Sequence, residues 1–456
     1  MLVQFTVDNF RSIKDTATLS MVSGSENEKN VFVARNQRLL RSAVIYGANA
    51  SGKSNVLRAL AFTGSENEKN VFVARNQRLL RSAVIYGANA SGKSNVLRAL
   101  AFMRSLVLNE PKIVQSTDVL PHEPFRLSTE TARASSTFEV VFIADETKYR
   151  YGFEADATMV YAEWLYEDSQ GREARLFQRD TEEAVLSVNR SRFPEGRGLK
   201  VLDNSLFLWR CDQNGGEKSQ RVLRWFRNIN LLSGMNTSGY LRYTVEQMEH
   251  LEFRDRIMNL VRVADLGIEE IAVEKKQVTE DEIGRMNLPE SVRDRITLRT
   301  SHSVYDALNN KVGTVKFELG VDESEGTKKY FSLSAPIMDT IRRGRILLID
   351  ELDASLHPML VANLVALFNH PEVNTGNAQL IFVTHDTNLL NQSLFHKSQI
   401  WFTEKDEQGG THLTSLVEFK GIRKEDNIEK HYIQGKYGAI PYLGDFSGAI
   451  LNQSAN

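Results

Sequence analysis

The sequence predicts an α/β fold built on a mixed, largely parallel sheet, on three observations. Ser82–Tyr86 is a short apolar run that ends at the glycine-rich stretch Gly87–Ser94, and a helix should start near Lys93. Two further apolar runs, Ile346–Ile349 and Leu380–Val383, each end in polar residues. Between residues 314 and 403 strand-like and helix-like segments alternate, the pattern of a sheet with helical crossovers.

The remaining elements come in chain order. Leu2–Val7 alternates and reads as a strand, with Thr16–Met21 as its hairpin partner beyond the turn Asn9-Phe10-Arg11-Ser12. Phe138–Phe142, Lys148–Phe153 and Tyr161–Leu165 read as an antiparallel meander. From about 205 to 275 the pattern is helical, and the tail after 420 is polar and partly helical. The expected organisation is an N-terminal part over 1–204, a mainly helical insertion over 205–313 and a C-terminal part over 314–456. The insertion is too short and too weakly heptad-patterned for a long coiled-coil arm.

Composition excludes several classes. With 41% hydrophobic and 25% charged residues among 456, the chain can build a sizeable core. A net charge of −2 gives no global field for nucleic acid, so any such contact would be a local patch. The single cysteine, Cys211, rules out a disulfide framework and fits a reducing compartment. No apolar run reaches the roughly 18 residues of a membrane helix, and the first residues lack a signal-peptide pattern. The expectation is a soluble, cytoplasmic protein without a membrane partner.

Residues 24–62 recur unchanged as 64–102. Diverged structural repeats do not look like this; a recent tandem duplication or an error in sequence assembly does. The two copies cannot share one place in one sheet. If the second is used, residues 24–63 become an inserted excursion; if the first is used, the extra residues interrupt a helix that should run from Val56 into Met103–Val107. Insertions are tolerated in loops and costly inside helices, so the second copy is the expected working one.

Gly87-Ala88-Asn89-Ala90-Ser91-Gly92-Lys93-Ser94 fits the pattern G-x-x-x-x-G-K-[ST] between a strand and a helix. Glycines let the backbone wrap on phosphate, and amides with the helix N-terminus face the anion. Lys93 is expected on the β/γ-phosphates and Ser94 on Mg²⁺. Gly47, Asn49, Ser51, Gly52, Lys53 and Ser54 repeat these positions in the first copy. Asp350, at the end of an apolar strand, suits the Mg²⁺ shell, and Glu351 suits a general base for water; the plainer reading is a solvated acidic turn. His385 leaves another buried strand, where it can meet a γ-phosphate or the attacking water or simply be structural. Ser324-Glu325-Gly326 opens a helix and makes a second anion site or an ordinary cap. Arg221, Arg224 and Arg227 form a helical stripe beside Trp225 and Phe226, more simply a solvated face than a contact for nucleic acid or an acidic partner.

Together Asn9–Ser12, Tyr86–Asn95 and Ile349–Pro358 resemble the RecF/SMC/OLD branch of ABC ATPases. More narrowly the chain resembles phage-defence operon ATPases: the RloA and AbiL groups and the AriA subunit of PARIS. The ending Gly435–Pro441 is similar to one in that group. The resemblance implies an ABC/SMC-like head with ATP and Mg²⁺ as cofactors. Its ATP sites would form between the heads of a homodimer or higher homo-oligomer. It assigns Lys93, Ser94 and Asn95 to Walker A, Asp350 to Walker B, Glu351 to the catalytic acid and Ala354–His357 to the D-loop. His385 would be the switch histidine, and Ser324 and Gly326 would stand in for a signature lacking L-S-G-G-Q. Arg11 would lie near the base.

Three functions compete. The first is a sensor or regulatory ATPase restraining a separately encoded toxin or nuclease, such as a Toprim protein. About 70 residues follow His385, too few for a Toprim domain, so nuclease activity is expected in trans. The second is a RecF-like repair ATPase binding DNA directly, and the third a transporter subunit.

Overall fold

The computed structural model describes residues 1–23, 33–34, 37–38, 71–75, 77–169, 171–235, 238–264, 266–277, 294–390, 394–423 and 426–441. Contacts divide the chain into two compact units. One comprises Met1–Leu232, Gly344–Asp350 and Val365–Asn456; the other comprises Ser233–Arg343 and Glu351–Leu364.

In the first unit β1 (Leu2–Asp8) and β2 (Ala17–Ser20) form the expected antiparallel pair. The duplicated sequence makes the same short hairpin twice, as β3 (Val33–Ala34) with β4 (Gln37–Arg38) and as β5 (Val71–Ala74) with β6 (Gln77–Leu80). Only the second copy's hairpin leads into the described β7 (Ser82–Gly87) and α1 (Lys93–Val107). Its link to the N-terminal strand is direct: Leu80 N donates to Met21 O, and Ser23 N to Arg78 O, both at 2.7 Å. The chain therefore resumes at the second copy where residue 23 leaves off.

The meander follows as β8 (Ser136–Ala144), β9 (Thr147–Ala155), β10 (Val160–Asp168), β11 (Ala174–Asp180) and β12 (Val185–Val188). With β1 and β2 it forms a seven-stranded sheet, ordered β12-β11-β10-β9-β8-β1-β2. Next come α2 (Phe207–Gln213), α3 (Glu217–Arg227) and β13 (Ile229–Ser233). The second unit holds α4 (Ser238–Gln247), α5 (Leu251–Val263), β14 (Glu270–Gln277), β15 (Asp294–Tyr305), β16 (Lys311–Glu318) and α6 (Glu325–Arg343). Then follow β17 (Ile346–Asp350), α7 (Pro358–Asn369), β18 (Gln379–Val383), β19 (Ile400–Lys405), β20 (Thr411–Ser415) and α8 (Ile428–Ile433).

The second sheet of the first unit has six strands, ordered β13-β17-β18-β7-β19-β20. The pairs β17–β18, β18–β7 and β7–β19 are parallel, and β20 closes the edge antiparallel. Every residue of β7 and β18 is buried, as strands covered on both faces require. Helix α1 lies between the sheets. Val96, Leu97, Leu100 and Met103 are buried, and its Phe102 meets Phe10 and Phe138, at 5.1 and 5.4 Å between ring centres. The expected α/β head with a mixed sheet and an antiparallel meander is what the chain forms.

The boundaries differ from those expected. The units divide at Leu232 and Gly344, not at 205 and 314. The helices α2 and α3 belong to the first core, where Phe207, Leu208, Trp225 and Phe226 are buried, and β13 extends the parallel sheet. The stretch expected to be mainly helical also contains β14 and β15, which with β16, across its expected end at 313, form a three-stranded antiparallel sheet ordered β14-β15-β16. Its apolar residues Ile271 and Leu298 join one core with Phe331 and Ala335 of α6 and the buried face of α5.

Gln379 ties the two sheets of the first unit. Its side chain accepts from Leu2 N at 2.5 Å and donates to Leu2 O and Leu80 O at 3.0 Å, all buried. Gln379→Ala leaves these groups without that partner and should cost about 2–4 kcal/mol. Urea unfolding checks this: the midpoint falls while the m-value stays constant.

Candidate functional site

The site in the first unit grows from the ends of three neighbouring parallel strands. Ile349 pairs with Phe382 and Val383 with Ile85, so β17, β18 and β7 deliver Asp350, Thr384-His385 and Gly87 to one edge of the sheet. Loops at the carboxyl ends of parallel strands are where such sheets bind ligands.

The glycine loop is held tightly. A Cβ on Gly87 would overlap Thr403 and Ser91, and Gly92 has φ 97°, a left-handed backbone where a Cβ would overlap Thr411 and Ser12. Ser91 Oγ and Thr403 Oγ1 are 2.6 Å apart, and Thr411 Oγ1 donates to Ser91 O at 2.9 Å. Asn89 and Ala90 are exposed at the tip. Helix α1 starts with no side-chain cap and no acid in its first turn, so nothing on the helix offsets its positive end.

Lys93 is buried and donates to Gly87 O and Ala88 O at 2.8 Å. Ser94 Oγ donates to Asp350 Oδ1 at 2.7 Å, and Arg98 Nη2 lies 3.6 Å from Asp350 Oδ2. A hydroxyl and a carboxylate so placed are hard oxygen donors of the kind Mg²⁺ takes when phosphates complete its shell. Among the described residues no cluster of three or more His, Cys, Asp or Glu could hold a metal ion. The donor set thus fits a metal shared with a substrate rather than a protein cage.

The Asn9–Ser12 turn is tied to this loop. Asn95 Nδ2 donates to Ser12 Oγ at 2.7 Å, and the Ser12 and Thr411 hydroxyls are hydrogen-bonded to each other at 2.7 Å. Asn9 is a buried anchor, donating to Thr131 O and Ser135 O and accepting from Phe125 N. Arg11 pairs with Glu123 and borders a cavity of about 330 Å³ with Ser12, Phe125, Arg126 and Lys405.

In the second unit Glu351 has φ 57° and Ser355 φ 60°, left-handed values unusual for such residues. Lys329, buried on α6, supports the turn between them. Its Nζ donates to Glu351 O at 3.1 Å, Leu352 O at 2.9 Å and Ala354 O at 2.6 Å. Burial pulls its ammonium down to about 8, against the raising effect of Asp353 and Glu351. Ser324 is exposed and caps α6, accepting from Thr327 N at 3.1 Å. Gly326 is needed for close approach, because a Cβ would meet Ser355 O at 2.5 Å.

His385 is exposed just beyond β18. Gly47, Asn49, Ser51, Gly52, Lys53 and Ser54 of the first copy lie outside the described residues. The arginine stripe is a solvated face: Arg224 and Arg227 are exposed, Arg221 pairs with Asp145 at 3.1 Å, and Trp225 stacks on Phe142. The ending Gly435–Pro441 is a packing device. Tyr437 stacks on Phe402 at 5.2 Å, in a cluster that also holds Tyr86 of β7 and Tyr432. Sequence reading missed Thr403, Thr411, Arg98 and Lys329. No motif marks them, because they act only through strands and helices brought together by folding.

A strand–loop–helix phosphate cradle facing a strand-end aspartate defines a P-loop nucleotide-binding domain. Residues 82–391, more than half of the chain, match the family model described as "AAA domain, putative AbiEii toxin, Type IV TA system", and the chain belongs to that family. No curated protein matches the sequence. Among solved structures the chain is similar to the Smc head bound to the C-winged helix domain of ScpA, with 13% identity over 91% of this chain and 99% of that one, TM-score 0.36. It is also similar to a Smc head with an extended coiled coil bound to the C-terminal domain of ScpA, from Pyrococcus furiosus (12%, 91% and 97%, TM-score 0.38). A third is cbiO1 of Clostridium perfringens, part of the ABC transporter complex cbiONQ (10%, 81% and 95%, TM-score 0.28). These likenesses are too loose to carry an argument. Among the described residues no helix is long and apolar enough to cross a membrane.

Lys329→Met removes the shared donor of three carbonyls and should destabilise the protein by about 2–4 kcal/mol, while Lys329→Arg restores part of that. Thermal and urea melts of both variants check it; an unshifted midpoint in Lys329→Met would rule out the clamp.

Proposed function

We propose that this chain binds Mg²⁺–ATP in the Gly87–Ser94 loop and hydrolyses it when two copies meet head to head. In this reading it is the sensor or regulatory ATPase of a bacterial anti-phage defence system. It restrains a separately encoded toxin or nuclease. The carrying observation is the 2.7 Å hydrogen bond between Ser94 and Asp350 at the start of α1, beside Lys93. The family description, with its toxin and type IV TA wording, supports the biological setting.

The roles follow from charge. The amides of the loop and the start of α1 receive the phosphates, and Lys93 swings from Gly87 O and Ala88 O to the β/γ-phosphates. Ser94 and Asp350 hold the Mg²⁺, which when bound neutralises phosphate charge. Glu351 takes a proton from the attacking water, and His385 hydrogen-bonds the γ-phosphate or that water. Ser324 and Gly326 of one copy close over the γ-phosphate held by the other. The Arg11 cavity takes the base.

Lys93→Ala, combined with Lys53→Ala to remove the duplicate, should abolish ATP turnover, read as phosphate release. Glu351→Gln should retain ATP and accumulate an ATP-dependent dimer, read by light scattering. Turnover by Glu351→Gln at the unmutated rate would remove Glu351 from the mechanism.

A further inference from the structure

Lys329 of α6 is a buried charge that the fold alone does not explain. It is 3% exposed, and its three acceptors, Glu351 O, Leu352 O and Ala354 O, are all main-chain carbonyls. Lysine is almost never buried this far without a carboxylate partner. Burial holds its ammonium down to about 8, against the raising effect of Asp353 and Glu351, so keeping a charge there costs free energy. The turn it serves lies at the surface. Ser355 is exposed, and Glu351, Asp353 and Ala354 are half-buried. At such a place water can satisfy carbonyls, and it does so without fixing their direction.

What the lysine adds is direction. Glu351 has φ 57° and Ser355 φ 60°, a backbone that is disfavoured for residues with a Cβ and persists only where the surroundings over-determine it. Three bonds from one ammonium converge on the turn at and between these residues. The far end of the turn is seated at Gly326, where the carbonyl oxygen of Ser355 passes 2.5 Å from the position of a Cβ. Gly326 and Lys329 lie three residues apart in α6, so one helix face grips both ends of the turn.

The backbone of Glu351 limits the rotamers open to its side chain. A general base must stand within hydrogen-bond reach of the proton it takes. A turn free to relax out of the left-handed state would carry the Glu351 carboxylate with it, and a small misplacement of a reacting group is enough to slow a reaction strongly.

We propose that Lys329 is a positioning residue for ATP hydrolysis, holding the Glu351–Ser355 turn so that the Glu351 carboxylate meets the attacking water. It acts through Glu351, and the proposal rests on the reading of Glu351 as general base given above.

The test compares the full chain with Lys329→Met, Lys329→Arg, Glu351→Gln and the double variant Lys329→Met/Glu351→Gln, each below its melting transition. Residual rates are read in single turnover with radiolabelled ATP. Lys329→Met should lower kcat on the order of 10–100-fold while the Kd for ATP stays within about twofold, because the phosphate loop belongs to the first unit. Lys329→Arg keeps a charged donor and should recover most of the loss. In the Glu351→Gln background Lys329→Met should cost nothing further, since no base is left to position. If Lys329→Met does not fold, Lys329→Gln takes its place in the same comparison. An unchanged kcat in the lysine variant would overturn the proposal, as would a loss of ATP affinity equal to the loss of kcat. A double variant that shows the product of the two single losses would overturn it too. An inactive Glu351→Gln beside a fully active Lys329→Met sinks the positioning role alone, whereas turnover by Glu351→Gln at the unmutated rate sinks the reading on which it rests.

Discussion

The hydrogen bond from Ser94 Oγ to Asp350 Oδ1 spans 256 residues of sequence and is the constraint around which the first unit is arranged. It requires the strand before the glycine loop and the strand before Asp350 to end at one level. The parallel register does this through β18, which sits between them. Gln379, at the first residue of β18, bonds to the main chain of Leu2 and Leu80. The strand that sets the level is therefore tied to the meander sheet. A buried amide with all its partners fixes register more sharply than apolar packing alone, because any slip strands donors and acceptors away from water.

Glycine is used in two ways around the loop and the second unit's turn. At Gly92 the demand is conformational, since φ lies at 97°. At Gly326 it is steric, because the carbonyl of Ser355 passes where a Cβ would stand. The residues sequence reading assigned to a signature are thus explained locally: Ser324 as a helix cap and Gly326 as a close-approach site. These local roles do not compete with a contact to a second copy. Ser324 is exposed, and the cap orients the helix N-terminus that such a contact would use.

The chemistry-bearing motifs were legible because their spacing is local. The glycine loop lies within eight residues, and Asp350 ends an apolar strand that announces itself. The meander was legible by alternation, although two of its strands, Ala174–Asp180 and Val185–Val188, carry too little alternation to stand out. The strands β14 and β15, in a stretch expected to be mainly helical, were not legible. In β16 the apolar alternation is limited to Val315 and Phe317 between Thr314, Lys316 and Glu318, too short to mark a strand. The unit boundary was misplaced for a related reason. Helices α2 and α3 have ordinary amphipathic patterns, and sequence does not say which core receives an apolar face. Lys329 was invisible as well, since a lysine in a helix normally reads as solvated.

The duplication sets identical segments in different surroundings. The two copies share every residue of the phosphate loop, so no local propensity separates them. They differ in the residues on either side. Helix α1 runs past the end of the repeat at Phe102 and buries Met103, Leu106 and Val107, which lie one turn apart on a single face. In the first copy the corresponding positions are Thr63, Glu66 and Asn67, with Gly64 in between. That helix would lose its apolar stripe after Phe62 and meet a residue that disfavours helix. Upstream, Leu80 N donates to Met21 O and Ser23 N to Arg78 O. The flanks of the second copy are what join it to the rest of the first unit: upstream through Met21 and Ser23, downstream through the buried Met103, Leu106 and Val107.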